Sequence, residues 1–278
     1  MARGERQAGE RQTANGGRQT MFDRGTGQPL LVVPAIQGRW EWMRPLLNAL
    51  AKDARVISYS LCGDIGSGMK LDPALGFDSY VAQIDRVLDQ TAVKRAAICG
   101  VSYGGMIAVR YAAVRPERVT HLIVASSPGP GWKPTERQAR YAARPWLSIV
   151  PFGVSAVERL GPEVRAALPN WPSRIRFALG YVGRIVAAPM TPHVMGARVQ
   201  LQREVRRAED CARVKAPTLV ISGEPPLDNV VPVESTREYV NLIAGAKYVL
   251  LERTGHIGTL TQPERFAGIV KEFLATNP

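Results

Sequence analysis

The chain has 278 residues, with 36 Lys and Arg against 24 Asp and Glu, for a formal net charge of +12 at pH 7. Its 45% hydrophobic content supports a large core, which excludes the intrinsically disordered class, and its length fits one domain carrying an insertion. Cys62, Cys99 and Cys211 have neither CxxC nor metal-ligand spacing, which excludes a disulfide framework, and no run of about 18 apolar residues offers a membrane span.

Residues 1–20 are polar, rich in Arg, Gly and Gln, and expected to form a disordered tail. They lack the apolar h-region of a secretory signal. Together with the unpaired cysteines this predicts a cytoplasmic protein, with Met21 as a candidate start. From there strand and helix patterns alternate. Strands at Leu30–Val33, Arg55–Tyr59, Arg95–Cys99 and Val119–Ala125 are separated by helices near Trp42–Ala51, Ser79–Gln90 and a third reaching Arg115. This alternation predicts an α/β fold with a mostly parallel, doubly wound sheet, in which ligands bind at the carboxyl ends of the strands.

Between the third strand and third helix lies Gly100-Val-Ser-Tyr-Gly104, a G-x-S-x-G pattern. A serine at such a strand-to-helix turn sits in a strained conformation, and the flanking glycines let neighbouring backbone pass. Ser102 is therefore the candidate nucleophile, poised over helix N–H groups that stabilise a developing anion.

After Ser127 the strand signals stop until about Arg213. Pro- and Trp-punctuated segments with helical periodicity near Thr135–Ala143, Ser155–Leu168, Ser173–Val186 and His193–Arg207 predict a helical lid. The expected division is a tail over 1–20, a core over 21–127 and 214–278, and a helical cap over 128–213.

A serine needs a base to become a nucleophile, and the chain holds three histidines. His121 falls in the apolar strand and reads as a core histidine, whereas His193 follows Thr191-Pro192 at a helix start. His256 lies in a loop after the apolar run Lys247–Leu251, which makes it the candidate base. The orienting acid should follow a strand and precede the histidine; the loop after Pro217–Ser222 offers Glu224 and Asp228, of which Asp228 is preferred.

Over about residues 22 to 275 these motifs resemble the α/β-hydrolase superfamily, specifically the capped serine hydrolases that include small esterases, lactonases and carbon–carbon bond hydrolases. In that family the acid commonly lies four residues before the proline of a Val-Pro pair, so Val231-Pro232 implies Asp228. Glu224 matches a frequent non-catalytic glutamate. Gly255-His256 followed by Gln262-Pro263-Glu264-Arg265-Phe266 looks like the family's histidine loop and last helix. Two positions depart from the pattern. Pro34-Ala35 stands where members often carry His-Gly; the oxyanion-hole donor falls one residue later, so the resemblance implies the Ile36 and Tyr103 amides. Ser60 replaces the aspartate of an Asp-x-x-Gly-x-Gly-x-Ser turn.

Residues 131–217 hold 15 basic and 6 acidic side chains, an excess of +9 to which Arg203, Arg206 and Arg207 contribute. A basic lid suits an anionic substrate, an acidic carrier protein or anionic lipid headgroups, or simply keeps the surface soluble. No nucleic-acid module is present. The expectation is a serine hydrolase of a carboxylic ester, thioester or lactone, anionic or carrier-linked substrates included, using no cofactor or metal and with its oligomeric state open. Carbon–carbon bond hydrolysis or cofactor-free haloperoxidation on the same triad, and non-catalytic ligand binding, are the alternatives.

Overall fold

The computed structural model describes residues 9–12, 18–144, 146–147, 149–202 and 207–276. Among the described residues eight strands form one sheet in the order β1-β2-β4-β3-β5-β6-β7-β8. They are β1 (Gly9–Gln12), β2 (Arg18–Arg24), β3 (Pro29–Val33), β4 (Arg55–Tyr59), β5 (Ala96–Val101), β6 (Val119–Ala125), β7 (Thr218–Ser222) and β8 (Lys247–Leu250). Strands β3 to β8 pair in parallel, while β2 runs antiparallel to both β4 and β1.

The parallel strands read as continuous apolar runs because helices cover both faces. Every residue of β5 is buried, as is every residue of β7. Alternate side chains divide between two cores. Leu31, Val33, Ile57, Ile98, Leu122 and Val220 face α2 (Ser79–Gln90), α3 (Tyr103–Val114) and α9 (Val233–Leu242). Leu30, Val32, Val56, Ala97, Ile123 and Leu219 face α1 (Arg44–Leu50) and α11 (Pro263–Thr276). The α2 pattern shows why a helix forms here, since Tyr80, Ile84, Val87 and Leu88 share one buried face.

Between β6 and β7 the chain makes α4 (Glu136–Ala143), α5 (Ile149–Ala167), α6 (Trp171–Ala187), α7 (Pro192–Leu201) and α8 (Arg207–Arg213); α10 (Gly258–Thr261) precedes α11. These insert helices are tied to the sheet-bearing part at several points. Trp42 Nε1 donates to the Ala188 carbonyl at 2.8 Å, and its ring meets the edge of Tyr181 at 5.9 Å. The wholly buried Arg198 of α7 pairs with Asp64 and donates to the Ile36 and Cys62 carbonyls. Arg110 of α3 bridges Asp78 and Asp210, the latter on α8.

Three details differ from the sequence reading. Within the expected tail, Gly9–Gln12 pairs with Arg18–Met21, because an antiparallel edge pair is held by backbone hydrogen bonds and needs little apolar side chain. The helix expected over His193–Arg207 ends at Leu201, and a separate α8 begins at Arg207. Helix α9 was not among the expected elements, although Pro232, immediately before its first residue, suits a helix start.

Candidate active site

Strand β5 ends at Val101 and α3 begins at Tyr103, leaving Ser102 alone at the turn with φ 52° and ψ −119°. That left-handed φ is costly for a residue with a Cβ, so its neighbours must hold it there. The Ser102 amide donates to the Ala125 carbonyl at 2.8 Å, anchoring the turn to β6. A Cβ on Gly100 would stand 2.3 Å from the Gly104 carbonyl oxygen, and one on Gly104 would stand 2.3 Å from the Val33 oxygen. Both glycines are therefore required by close approach. The second approach also lays the loop after β3, which carries Ile36, against the first turn of α3, whose opening amides have no partner inside the helix.

Parallel β5, β7 and β8 deliver three loops to the same edge of the sheet, and three candidate side chains meet there. His256 Nε2 lies 3.0 Å from Ser102 Oγ, and His256 Nδ1 lies 3.3 Å from Asp228 Oδ2. The other Asp228 oxygen, Oδ1, accepts from the Val230 and Val231 amides at 3.0 and 2.9 Å. The loop thus fixes the carboxylate with one oxygen and leaves the other for the imidazole. Burial works against a charged His256, but the Asp228 carboxylate, with Glu163 behind it, outweighs burial and raises the histidine above its ordinary pKa. With Nδ1–H directed at Asp228, Nε2 is free to accept the serine proton.

Glu224 sits differently. Its Oε1 accepts from the Arg253 amide at 2.7 Å, so it braces the histidine loop where Arg253 takes a φ of 59°. Gly255 completes that loop, since a Cβ there would stand 2.2 Å from the Leu227 carbonyl oxygen of the acid loop. Of the other histidines, His121 is buried beside Gln28, its ring edge-on to Phe273, and His193 is exposed near Trp146.

Glu163, on α5 of the insert, was missed by sequence reasoning. It is fully buried, and its Oε2 accepts from the Ile257 amide at 3.0 Å while Oε1 accepts from the Thr261 hydroxyl at 3.5 Å. Burial pushes its carboxyl up to about 7, against the opposing pull of the Ile257 and Gly255 amides and of His256. Nothing in the sequence of α5 singled it out, since Glu158, Arg159 and Arg165 stand in the same helix. The same helix touches the histidine loop where Arg253 Nε donates to the Ala166 carbonyl at 3.1 Å.

Cys62, Cys99 and Cys211 are buried and form no disulfide, and burial raises Cys62 and Cys99 to about 12. Among the described residues no group of three or more His, Cys, Asp or Glu side chains is placed to hold a metal ion, and no helix is long and apolar enough to cross a membrane. Arg203 and Arg206 lie outside the described residues, as does the Arg207 side chain.

A family model described as alpha/beta hydrolase fold matches residues 28–263. The 2-hydroxymuconate semialdehyde hydrolase of Pseudomonas sp. strain CF600 is 28% identical over 275 residues, covering 94% of this chain and 92% of that protein. A provisionally named carbamate hydrolase, RutD, of Azorhizobium caulinodans is 31% identical over 249 residues, covering 87% and 89%. The crystal structure of an enol-lactonase from Burkholderia xenovorans LB400 superposes with a TM-score of 0.72 at 21% identity, covering 96% of this chain and all of that one. The strand order, the turn at Ser102 and the matched span agree, and the chain belongs to the alpha/beta hydrolase family.

Proposed function

We propose that the protein is a serine hydrolase acting at the acyl carbon of an ester, thioester or lactone. The observation that carries this reading is the continuous relay from Ser102 through His256 to Asp228. In this mechanism Ser102 Oγ attacks the acyl carbon while His256 Nε2 takes its proton. The Ile36 and Tyr103 amides receive the tetrahedral oxyanion. Collapse expels the leaving group, which takes the proton from His256, and Asp228 stabilises the transient imidazolium. Water, deprotonated by His256, then attacks the acyl-enzyme and restores Ser102. The helices over 128–213 act as a cap, whose α5 reaches both the acid and histidine loops, and the protein works in the cytoplasm.

A second reading has a specific observation in its favour. The relative named for 2-hydroxymuconate semialdehyde aligns along 94% of this chain, which points to cleavage of a carbon–carbon bond next to a carbonyl on the same three side chains. The deciding experiment labels the protein with a fluorophosphonate, with Ser102→Ala as control, and then assays neutral, carboxylate-bearing and carrier-linked esters, a lactone, a carbamate and a vinylogous 1,5-diketone. Labelling that needs Ser102, with turnover highest on an oxygen or sulfur ester, supports the first reading. Turnover highest on the diketone supports the second. Absence of labelling and of turnover leaves a ligand-binding protein.

A further inference from the structure

Helix α6 (Trp171–Ala187) presents two unlike faces. One turns toward the protein: Tyr181 meets Trp42 with ring centroids 5.9 Å apart, and along the same helix Phe177 stacks on Tyr181 while Arg184 lies over the Tyr181 ring. The other consists of Trp171, Ile175, Leu179, Val182 and Val186, with exposures of 69, 42, 69, 56 and 75%. Their spacing of four, four, three and four residues places all five on one stripe along the helix. A folded monomer seldom leaves so regular an apolar stripe in water without a use for it.

The charges around the stripe indicate what covers it. At 100° per residue Arg174 falls on one flank and Arg176 on the other, and Trp171–Ala187 contains no Asp or Glu. Arg174 is also held in place, donating to the Leu168, Arg165 and Pro169 carbonyls at the end of α5. A second copy packed stripe to stripe would set these arginine-lined flanks against each other with no acid on the helix to neutralise them. A surface of anionic lipid headgroups accepts the apolar side chains into its acyl boundary and pairs the flanking guanidinium groups with phosphate.

We propose that the exposed stripe of α6, flanked by Arg174 and Arg176, is a docking surface for anionic membranes. The helix lies in the headgroup plane and does not span the bilayer. Trp171 sits at its N-terminal end as an interfacial anchor. This placement is independent of which acyl group the protein cleaves.

The test is co-sedimentation of the full chain with vesicles of phosphatidylglycerol and phosphatidylcholine, and with vesicles of phosphatidylcholine alone. The wild type is expected to sediment with the mixed vesicles and at least about tenfold less with the neutral ones, and raising salt to about 1 M should weaken binding. Leu179→Asp with Val186→Asp should reduce binding at least about tenfold, and Arg176→Gln should reduce it less, because one charge is a fraction of the total. Turnover of a water-soluble neutral ester should be unchanged in both, since these residues are surface-exposed. Wild-type protein remaining in the supernatant overturns the proposal. So does undiminished binding by the double aspartate variant, which assigns binding to net charge elsewhere. A wild-type dimer seen by light scattering and dissociated by the same variant overturns it too, by giving the stripe to a second copy.

Discussion

Glu163 of α5 accepts a hydrogen bond from the amide of Ile257, the residue that follows His256, at 3.0 Å. A carboxyl belonging to the inserted helices thereby holds the backbone of the loop that carries the candidate base. The position of α5 and the orientation of the imidazole are mechanically linked, and Glu163 also adds to the negative potential that favours a proton on His256.

Ser102→Ala and His256→Ala should each lower kcat for a p-nitrophenyl ester by about 10³-fold or more, because the relay works as a unit. Combining the two should cost little beyond either alone. Near wild-type turnover in either single variant would remove Ser102 and His256 from the chemistry.

Asp228→Asn should lower kcat by orders of magnitude, since the amide no longer orients and stabilises the imidazolium. Glu224→Gln should change kcat little while lowering stability, because Glu224 Oε1 braces the Arg253 amide and does not face His256. Steady-state kinetics beside thermal melts of the two variants checks this. The reverse ranking would move the acid to Glu224.

The base must be neutral to act, and burial, Asp228 and Glu163 together leave His256 above its ordinary 6.5. The kcat/KM profile should therefore rise with pH through an apparent pKa above 6.5. Glu163→Gln removes one of the charges that retain the proton, so the acidic limb should move to lower pH while the plateau stays within about threefold of wild type. A lowered plateau with an unmoved limb would mean that Glu163 only packs the loop.

The same carboxyl has a stability signature. Its pKa is raised from 4.5 to about 7 on folding, so the folded state binds this proton more tightly than the unfolded state, and stability falls as pH rises between those values. The full swing is about 3 kcal/mol. His256, also raised, loses stability in the same direction as pH passes its folded value, and Glu163→Gln reduces that contribution because it removes one of its causes. Wild type should thus lose most of that swing relative to the variant between pH 5 and pH 8, measured by urea unfolding. A pH-independent difference would place Glu163 in a more solvated setting.

Much of the parallel sheet was legible because apolar runs such as Ala96–Val101 and Val119–Ala125 are long, bounded and buried on both faces. Ser102 was legible for a local reason, the glycines at 100 and 104 that its turn requires. Asp228 could be preferred over Glu224 from loop position and a family pattern, but the division of its two oxygens between loop amides and imidazole is a three-dimensional fact. Glu163 was not legible: its meaning depends on a partner 94 residues away, and within α5 it is one more acid. The β1–β2 pair was missed for the opposite reason, since edge pairing needs little of the apolar pattern by which strands are recognised.

His256 stands 154 residues after Ser102, with the whole helical insert between them. On a ribosome, the strained serine turn and the two strands beside it can form while the residues proposed to activate Ser102 are still unmade. Closing so long a loop is entropically costly and comes late in folding. Under the proposed mechanism the nascent protein would carry an inert serine until the C-terminal segment arrives to activate it. A chain cut short between the end of β6 and His256 would display the Ser102 turn without the base proposed to activate it.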